Sequence, residues 1–207
     1  MSQKFMKRLY DVETFQRFIA DAVASFADMR KSRKNPDISA AFSKRILLAV
    51  THVNGCRYCT FVHTKNALEE GMSEDEVQRL LGGEFDAAPS NESVALLFAE
   101  HYADSAGRPS LEATQKLIET YGADTSAQIL GIIRGIMVGN LHGNMIDALR
   151  NRIMRKPVPE STLGRELGIV LGVVVFVPYL AIKQLITSRT SPTIQDLAGQ
   201  GVGRAAT

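Results

Sequence analysis

Residues 43–71 read SKRILLAVTHVNGCRYCTFVHTKNALEEG and contain both cysteines of the chain, Cys56 and Cys59. The residues up to 53 are rich in Ala, Leu, Ile and Val and predict a mostly buried helix, which Asn-Gly at 54–55 would end. The residues after that break predict a second helix. At 3.6 residues per turn, Cys56, Cys59 and His63 would share one face of it, within an arc of about 60°.

This Cys-x-x-Cys pair with a histidine four residues later is typical of redox chemistry. Two thiols at this spacing can oxidise to a disulfide and reopen, and the imidazole can take a proton from one of them. The break at 54–55 would place Cys56 at a helix N-terminus, where backbone N–H groups and the helix dipole favour the thiolate. A thiolate is the nucleophilic form, so this placement predicts a reactive sulfur.

Three other roles for the cysteines remain open: buried small hydrophobes, zinc ligands and an inert structural disulfide. Polar neighbours and the matched spacing of His63 argue against the first role. A structural zinc site requires four ligands from more than one segment, and the chain has no further cysteine. A disulfide across so few residues closes a loop too short to constrain much of the chain. Redox chemistry is therefore the favoured interpretation.

The rest of the chain predicts an all-α fold. Apolar residues recur at helical spacing throughout, and no alternating strand pattern appears. Ser73 with Glu76 and Thr125 with Gln128 have the spacing of capping boxes, and Ser110 is typical of an N-cap. The predicted helices cover residues 12–29, 38–53, 56–70, 73–82, 92–106, 110–122 and 125–154.

An apolar helical extension is predicted after this helical domain, which we assign to residues 1–156, with the extension at 157–207. Residues 167–182, LGIVLGVVVFVPYLAI, carry no charge. As a helix these 16 residues reach about 24 Å, short of the roughly 30 Å hydrocarbon core, and Pro178 interrupts them. A buried or subunit-interface helix is favoured over membrane attachment. The tail from residue 187 is predicted to be a flexible end or an arm on a neighbour.

The composition narrows the class of protein. With 207 residues, of which 45% are hydrophobic, the chain can form a sizeable core. A net charge of +2 gives no electrostatic argument for binding nucleic acid. Two cysteines do not make a secreted disulfide framework, and the charged residues 1–11 lack an apolar signal core. We therefore expect a cytoplasmic protein.

Residues 43–71 resemble the alkylhydroperoxidase-D-like branch of the carboxymuconolactone decarboxylase superfamily, through the apolar helix, N-G-C-x-Y-C and the histidine four residues on. The resemblance covers about residues 40–150. It implies an all-α homo-oligomer that reduces a hydroperoxide, is reset by an external dithiol and requires no metal or organic cofactor. It also implies that Cys59 is peroxidatic, that Cys56 is resolving and that His63 relays protons. Decarboxylases of the superfamily lack the cysteine pair, so its presence argues against decarboxylation.

One position departs from that branch, whose better-characterised peroxidases carry a glutamate twelve residues before the first cysteine. The residue here is Lys44, which could lower a nearby thiol pKa by charge but cannot accept a proton while cationic. This difference motivates an alternative function: a low-turnover redox-sensing or thiol–disulfide interaction module, with membrane association through the C-terminal helix as an option. His52 is a candidate site neighbour if its helix continues to Cys56.

Overall fold

The computed structural model describes residues 7–187 and 191–199, without the side chains of 184–187, and every regular element in these ranges is helical. The all-α prediction is therefore confirmed. Short 3-10 turns at Phe85–Ala87 and Ser90–Glu92 precede α6. The helices are α1 Val12–Ala24, α2 Phe26–Ser32, α3 Ala40–Asn54, α4 Arg57–Glu69, α5 Glu74–Leu81, α6 Ser93–Asp104, α7 Leu111–Ile153, α8 Leu163–Thr187 and α9 Ile194–Gly199.

Helix α7 is the centre of the fold and contacts α1, α2, α3, α4, α6, α8 and α9. It combines two helices that the sequence predicts at 110–122 and 125–154. Gly122 is the kink between them, with φ 74° and ψ 164°, a conformation that favours glycine. The predicted caps Ser73 and Ser110 are confirmed, since each hydroxyl accepts a hydrogen bond from the N–H three residues on.

The N-terminal prediction of one helix over residues 12–29 is wrong, because the chain breaks at Ser25 between α1 and α2. The cause of this break is packing against α7, and not a helix-breaking residue in the local sequence. The backbone of α2 lies so close to Gly131 that a Cβ there would be 2.8 Å from the amide nitrogen of Met29. The Ser25 hydroxyl also accepts a 2.7 Å hydrogen bond from Arg134. Tertiary packing thus divides a segment whose local pattern is continuous.

Helix α8 packs one face on α1 and α7 and exposes the other. Ile169 is fully buried, and Glu166 accepts two hydrogen bonds from Arg152 of α7, at 2.7 and 2.9 Å. The outer face carries Leu171, Val174, Val175, Tyr179 and Ile182, which are 57–75% exposed. Pro178 lies inside the helix rather than at its end. The prediction that α8 is a buried core helix is therefore wrong for a single chain, which leaves the subunit-interface prediction.

Two described helices, α7 and α8, are long and apolar enough to cross a membrane by length and composition. They differ in burial, since 72% of the apolar window of α7 but only 17% of that of α8 is buried. The burial of α7 is that of a core helix. Of the predicted tail, residues 191–199 form a short segment and α9, with Ile194 buried, whereas 188–190 and 200–207 lie outside the described residues.

Candidate active site

The cysteine pair lies at the junction of α3 and α4. Gly55 ends α3 with φ 66° and ψ 24°, the left-handed conformation of a helix C-cap, and its N–H donates to the carbonyl of Thr51. Cys56 then caps α4, because its sulfur accepts a hydrogen bond from the N–H of Cys59 at 3.3 Å. The predicted break and the predicted helix N-terminus at Cys56 are both confirmed.

Cys56 and Cys59 form a disulfide, with their Cα atoms 5.3 Å apart. Cys56 is fully buried, whereas Cys59 keeps part of its surface exposed. A molecule arriving from solvent therefore meets Cys59 first. Within residues 7–187 and 191–199, no three His, Cys, Asp or Glu side chains are grouped as a metal site would require.

Gly143 of α7 lies directly against the disulfide. A Cβ at this position would lie 2.6 Å from Sγ of Cys56 and 3.5 Å from Sγ of Cys59, well inside van der Waals contact for the first sulfur. The disulfide can pack on α7 only because Gly143 has no side chain. This residue was not predicted from sequence, since nothing in the local pattern relates it to a motif more than 80 positions earlier.

Buried amides join the end of α3 to α7 behind the cysteines. Asn144 donates to the backbone carbonyls of Asn54, at 2.8 Å, and of Arg8, at 3.1 Å. Thr51 donates to Oδ1 of Asn140 at 3.2 Å. All three asparagines are fully buried. These hydrogen bonds connect the turn before Cys56 to α7, although Oδ1 of Asn54, Nδ2 of Asn140 and Oδ1 of Asn144 have no partner among the described groups.

Asp147, one turn after Gly143, holds the first turn of α4. Its carboxylate is 4% exposed and forms ion pairs with Lys7 and Arg57. The Tyr58 hydroxyl lies 3.5 Å from the same carboxylate. Both residues between the cysteines, Arg57 and Tyr58, thus contact α7. Asp147 was also missed from sequence, because an aspartate in a long helix carries no signal of which loop it will contact.

His63 follows Cys59 by four residues in α4, and residues four apart lie on the same face of a helix, so His63 is one turn beyond Cys59 on that face. The ring is half-buried, and its buried Nδ1 has no hydrogen-bond partner among the described groups. Burial lowers the pKa of His63 below its ordinary 6.5, and the charge of Lys44 lowers the pKa further. The imidazole is therefore neutral at pH 7 and able to accept a proton.

Of the two predicted site neighbours, Lys44 lies near His63 but His52 does not point toward the cysteines. Lys44 of α3 is near enough to influence His63 by charge. His52 points elsewhere: its Nδ1 lies 2.8 Å from the carbonyl oxygen of Leu81, and its Nε2 lies 3.8 Å from Glu100. The idea that His52 neighbours the cysteines depended on a continuous helix, and Gly55 ends that helix.

Residues 20–101 match the family model named carboxymuconolactone decarboxylase family. The match covers 82 of the 207 residues, so the chain is similar to this family over that segment. The matched segment of this family begins in α1 and ends in α6, so it contains the whole cysteine junction but not α7 or α8. Neither the comparison with curated proteins nor that with solved structures found a significant match. The match to this family and the two cysteines at disulfide distance together fit a Cys-x-x-Cys redox function.

Proposed function

We propose that the protein is a thiol-dependent peroxidase in which Cys59 reduces a hydroperoxide, Cys56 resolves the product and His63 moves the proton. The observation that carries the proposal is the Cys56–Cys59 disulfide at the start of α4, with the partly exposed Cys59 one helical turn before the neutral imidazole of His63. The family includes enzymes, which is compatible with turnover.

The first half-reaction begins with both cysteines reduced. Neutral His63 takes the thiol proton of Cys59, and the thiolate attacks the outer oxygen of the hydroperoxide R–O–OH. The O–O bond breaks, Cys59 becomes a sulfenic acid, and the departing alkoxide takes the proton back from His63 to leave as ROH. Sulfur is oxidised by two electrons and the peroxide is reduced by two.

The second half-reaction closes and reopens the disulfide. The Cys56 thiol attacks the sulfenic sulfur of Cys59, forming the S–S bond and releasing water. One thiolate of an external dithiol then attacks the sulfur of Cys59, and Cys56 leaves as a thiolate, which gives a mixed disulfide between Cys59 and the donor. The second thiol of the donor attacks its own sulfur in that mixed disulfide, so that Cys59 leaves reduced and the donor becomes a disulfide. The N–H of Cys59 and the start of α4 stabilise the Cys56 thiolate, and a stabilised leaving thiolate departs faster. This scheme requires no metal or organic cofactor.

Stopped-flow oxidation of the fully reduced protein tests the proposal directly. We expect cumene hydroperoxide or hydrogen peroxide to oxidise the cysteine pair far faster than it oxidises free cysteine at the same pH. The alternative function, a redox-sensing module with little turnover, predicts slow oxidation together with a change of assembly mass between the reduced and oxidised protein. Rates no faster than those of free cysteine, with unchanged assembly, would contradict both proposals.

Substitution of Lys44 is expected to move the pH profile of peroxide reduction. Lys44 lowers the pKa of His63, and the rate should fall as pH drops through that pKa, because protonated His63 cannot accept the thiol proton. Lys44→Gln should therefore shift the acid limb to higher pH, and Lys44→Glu should shift it further while adding a proton acceptor. Lys65→Gln, on the exposed surface of α4, is the matched control. An acid limb that stays in place in both Lys44 variants would contradict the role of His63.

We also propose that a second copy of the chain covers the outer face of α8. An apolar face of this extent requires a cover, and a second copy of the chain presents the same face to pack against it. Because α8 also has the length and composition of a membrane span, membrane attachment is the competing explanation. Val174→Glu should therefore lower the assembly mass measured by sedimentation velocity, whereas Leu97→Glu, at an exposed leucine of α6, should not. Wild-type protein that sediments with membranes and needs detergent for extraction would contradict the proposal.

A further inference from the structure

A cavity of about 910 Å³ lies on the side of α7 away from the cysteines. It is formed by α1, the loop between α6 and α7, the middle of α7 and residues 191–197. Its volume is within the range that holds small organic ligands, roughly 300–1,000 Å³. No residue of α3 or α4 lines it, so it is separate from the proposed peroxidase site. The lining residues are Arg17, Ala20, Asp21, Gly107, Arg108, Pro109, Leu111, Arg134, Ser191, Pro192 and Leu197.

Arg134 contributes a buried cation to this cavity, with only 3% of the residue exposed. Its guanidinium donates to the hydroxyls of Tyr102, at 3.3 Å, and Ser25, at 2.7 Å, and to the carbonyl of Pro192, at 2.7 Å. These are neutral acceptors, and none of the described ion pairs gives Arg134 a carboxylate partner. Arginine has five N–H donors, so these three bonds leave donor capacity. A buried charge without a counter-ion is costly, and an anion in the cavity would offset that cost.

Two further arginines line the same cavity. Arg17 lies over the ring of Phe18 and donates to the carbonyl of Ala106 at 2.9 Å, whereas Arg108 is exposed in the loop after α6. Among the described lining residues the acidic one is Asp21, whose carboxylate is 4.0 Å from Arg17. Three cations against one carboxylate leave this described part of the lining with an excess of two positive charges.

The remaining walls of the cavity are mostly apolar, from Ala20, Pro109, Leu111 and Leu197. We propose that the cavity binds an amphipathic carboxylate, with its head group on Arg134 and Arg108 and a short aliphatic body against the apolar walls. A planar guanidinium matches a carboxylate with two parallel hydrogen bonds, which distinguishes this ligand from a neutral alcohol of the same length.

Calorimetric titration of the full-length protein with octanoate tests the proposal, with octanol and octylammonium as probes of equal chain length. We expect saturable binding of octanoate at one site, and affinities at least about tenfold weaker for the neutral and cationic probes, since only the anion gains charge-assisted hydrogen bonds. No saturable octanoate binding, or equal affinity for octanol, would overturn the proposal.

Arginine variants test whether octanoate binds in this cavity. Arg108→Gln and Arg134→Lys should each weaken octanoate binding by about tenfold, whereas Arg150→Gln, at an exposed arginine outside the cavity, should not. Circular dichroism checks the fold of Arg134→Lys, and Arg108→Gln decides alone if that variant is unfolded. Equal affinities in Arg108→Gln and Arg150→Gln would overturn the assignment. Cys59→Ser should leave octanoate affinity unchanged, so this test does not depend on the peroxidase proposal.

Discussion

Serine in place of Cys59 is expected to abolish peroxide consumption, with a loss of rate on the order of 10³-fold or more, because the nucleophilic sulfur itself is removed. Cys59 is the partly exposed member of the pair, and the neutral imidazole of His63 follows one turn later on the same helix face. Stopped-flow measurement with excess hydroperoxide gives the rate, and mass spectrometry after a peroxide pulse should find no sulfenic acid in this variant.

Cys56→Ser is the matched control, since it removes the other thiol and leaves Cys59 in place. Its first turnover should proceed, but the sulfenic acid on Cys59 should persist or over-oxidise because its resolving partner is gone. The oxygen should be found on Cys59 by peptide mapping. If the wild-type protein instead carried its first oxidised sulfur at Cys56, the two roles would be reversed.

Gly143→Ala should make the disulfide easier to reduce. The added methyl carbon would lie 2.6 Å from Sγ of Cys56, so the disulfide must shift, whereas a reduced Cys56 can rotate its sulfur away. Overpacking of this kind costs about 1–3 kcal/mol. If that cost falls mainly on the oxidised form, the midpoint potential rises by about 20–60 mV, since 30 mV corresponds to about 1.4 kcal/mol for two electrons.

A redox titration against glutathione buffers measures this potential, and Gly139→Ala is the control one turn earlier on α7. A Cβ at Gly139 would meet only Cδ1 of Ile136, at an ordinary 3.8 Å, so that potential should stay at the wild-type value. Equal potentials in the two variants would show that α7 does not constrain the disulfide. Thermal unfolding of the reduced proteins separates this effect from a general loss of stability.

Local interactions explain why part of this protein could be predicted without its structure. Gly55 needs only the chain around it to adopt a left-handed turn, and Ser73 and Ser110 cap helices through bonds to residues three positions away. The Cys56 cap likewise spans a single turn. The all-α class, the break at Asn54–Gly55 and the cysteine junction all follow from such short-range contacts.

The features that the sequence did not predict depend on packing between segments far apart in the chain. Gly143 and Asp147 approach the cysteines only because α7 packs against α4. The sequence pattern around each of these two residues does not predict that contact. The break at Ser25 arises where α2 lies against Gly131, although residues 12–29 are periodic throughout.

The sequence alone thus determined which residues form the Cys-x-x-Cys turn and the helices around it, because those interactions are local. The tertiary structure decided what lies beneath the disulfide, which face of α8 stays exposed and which arginines meet around the cavity at Arg134. These features depend on how helices far apart in the chain pack together, and the local sequence does not encode that packing in any readable pattern.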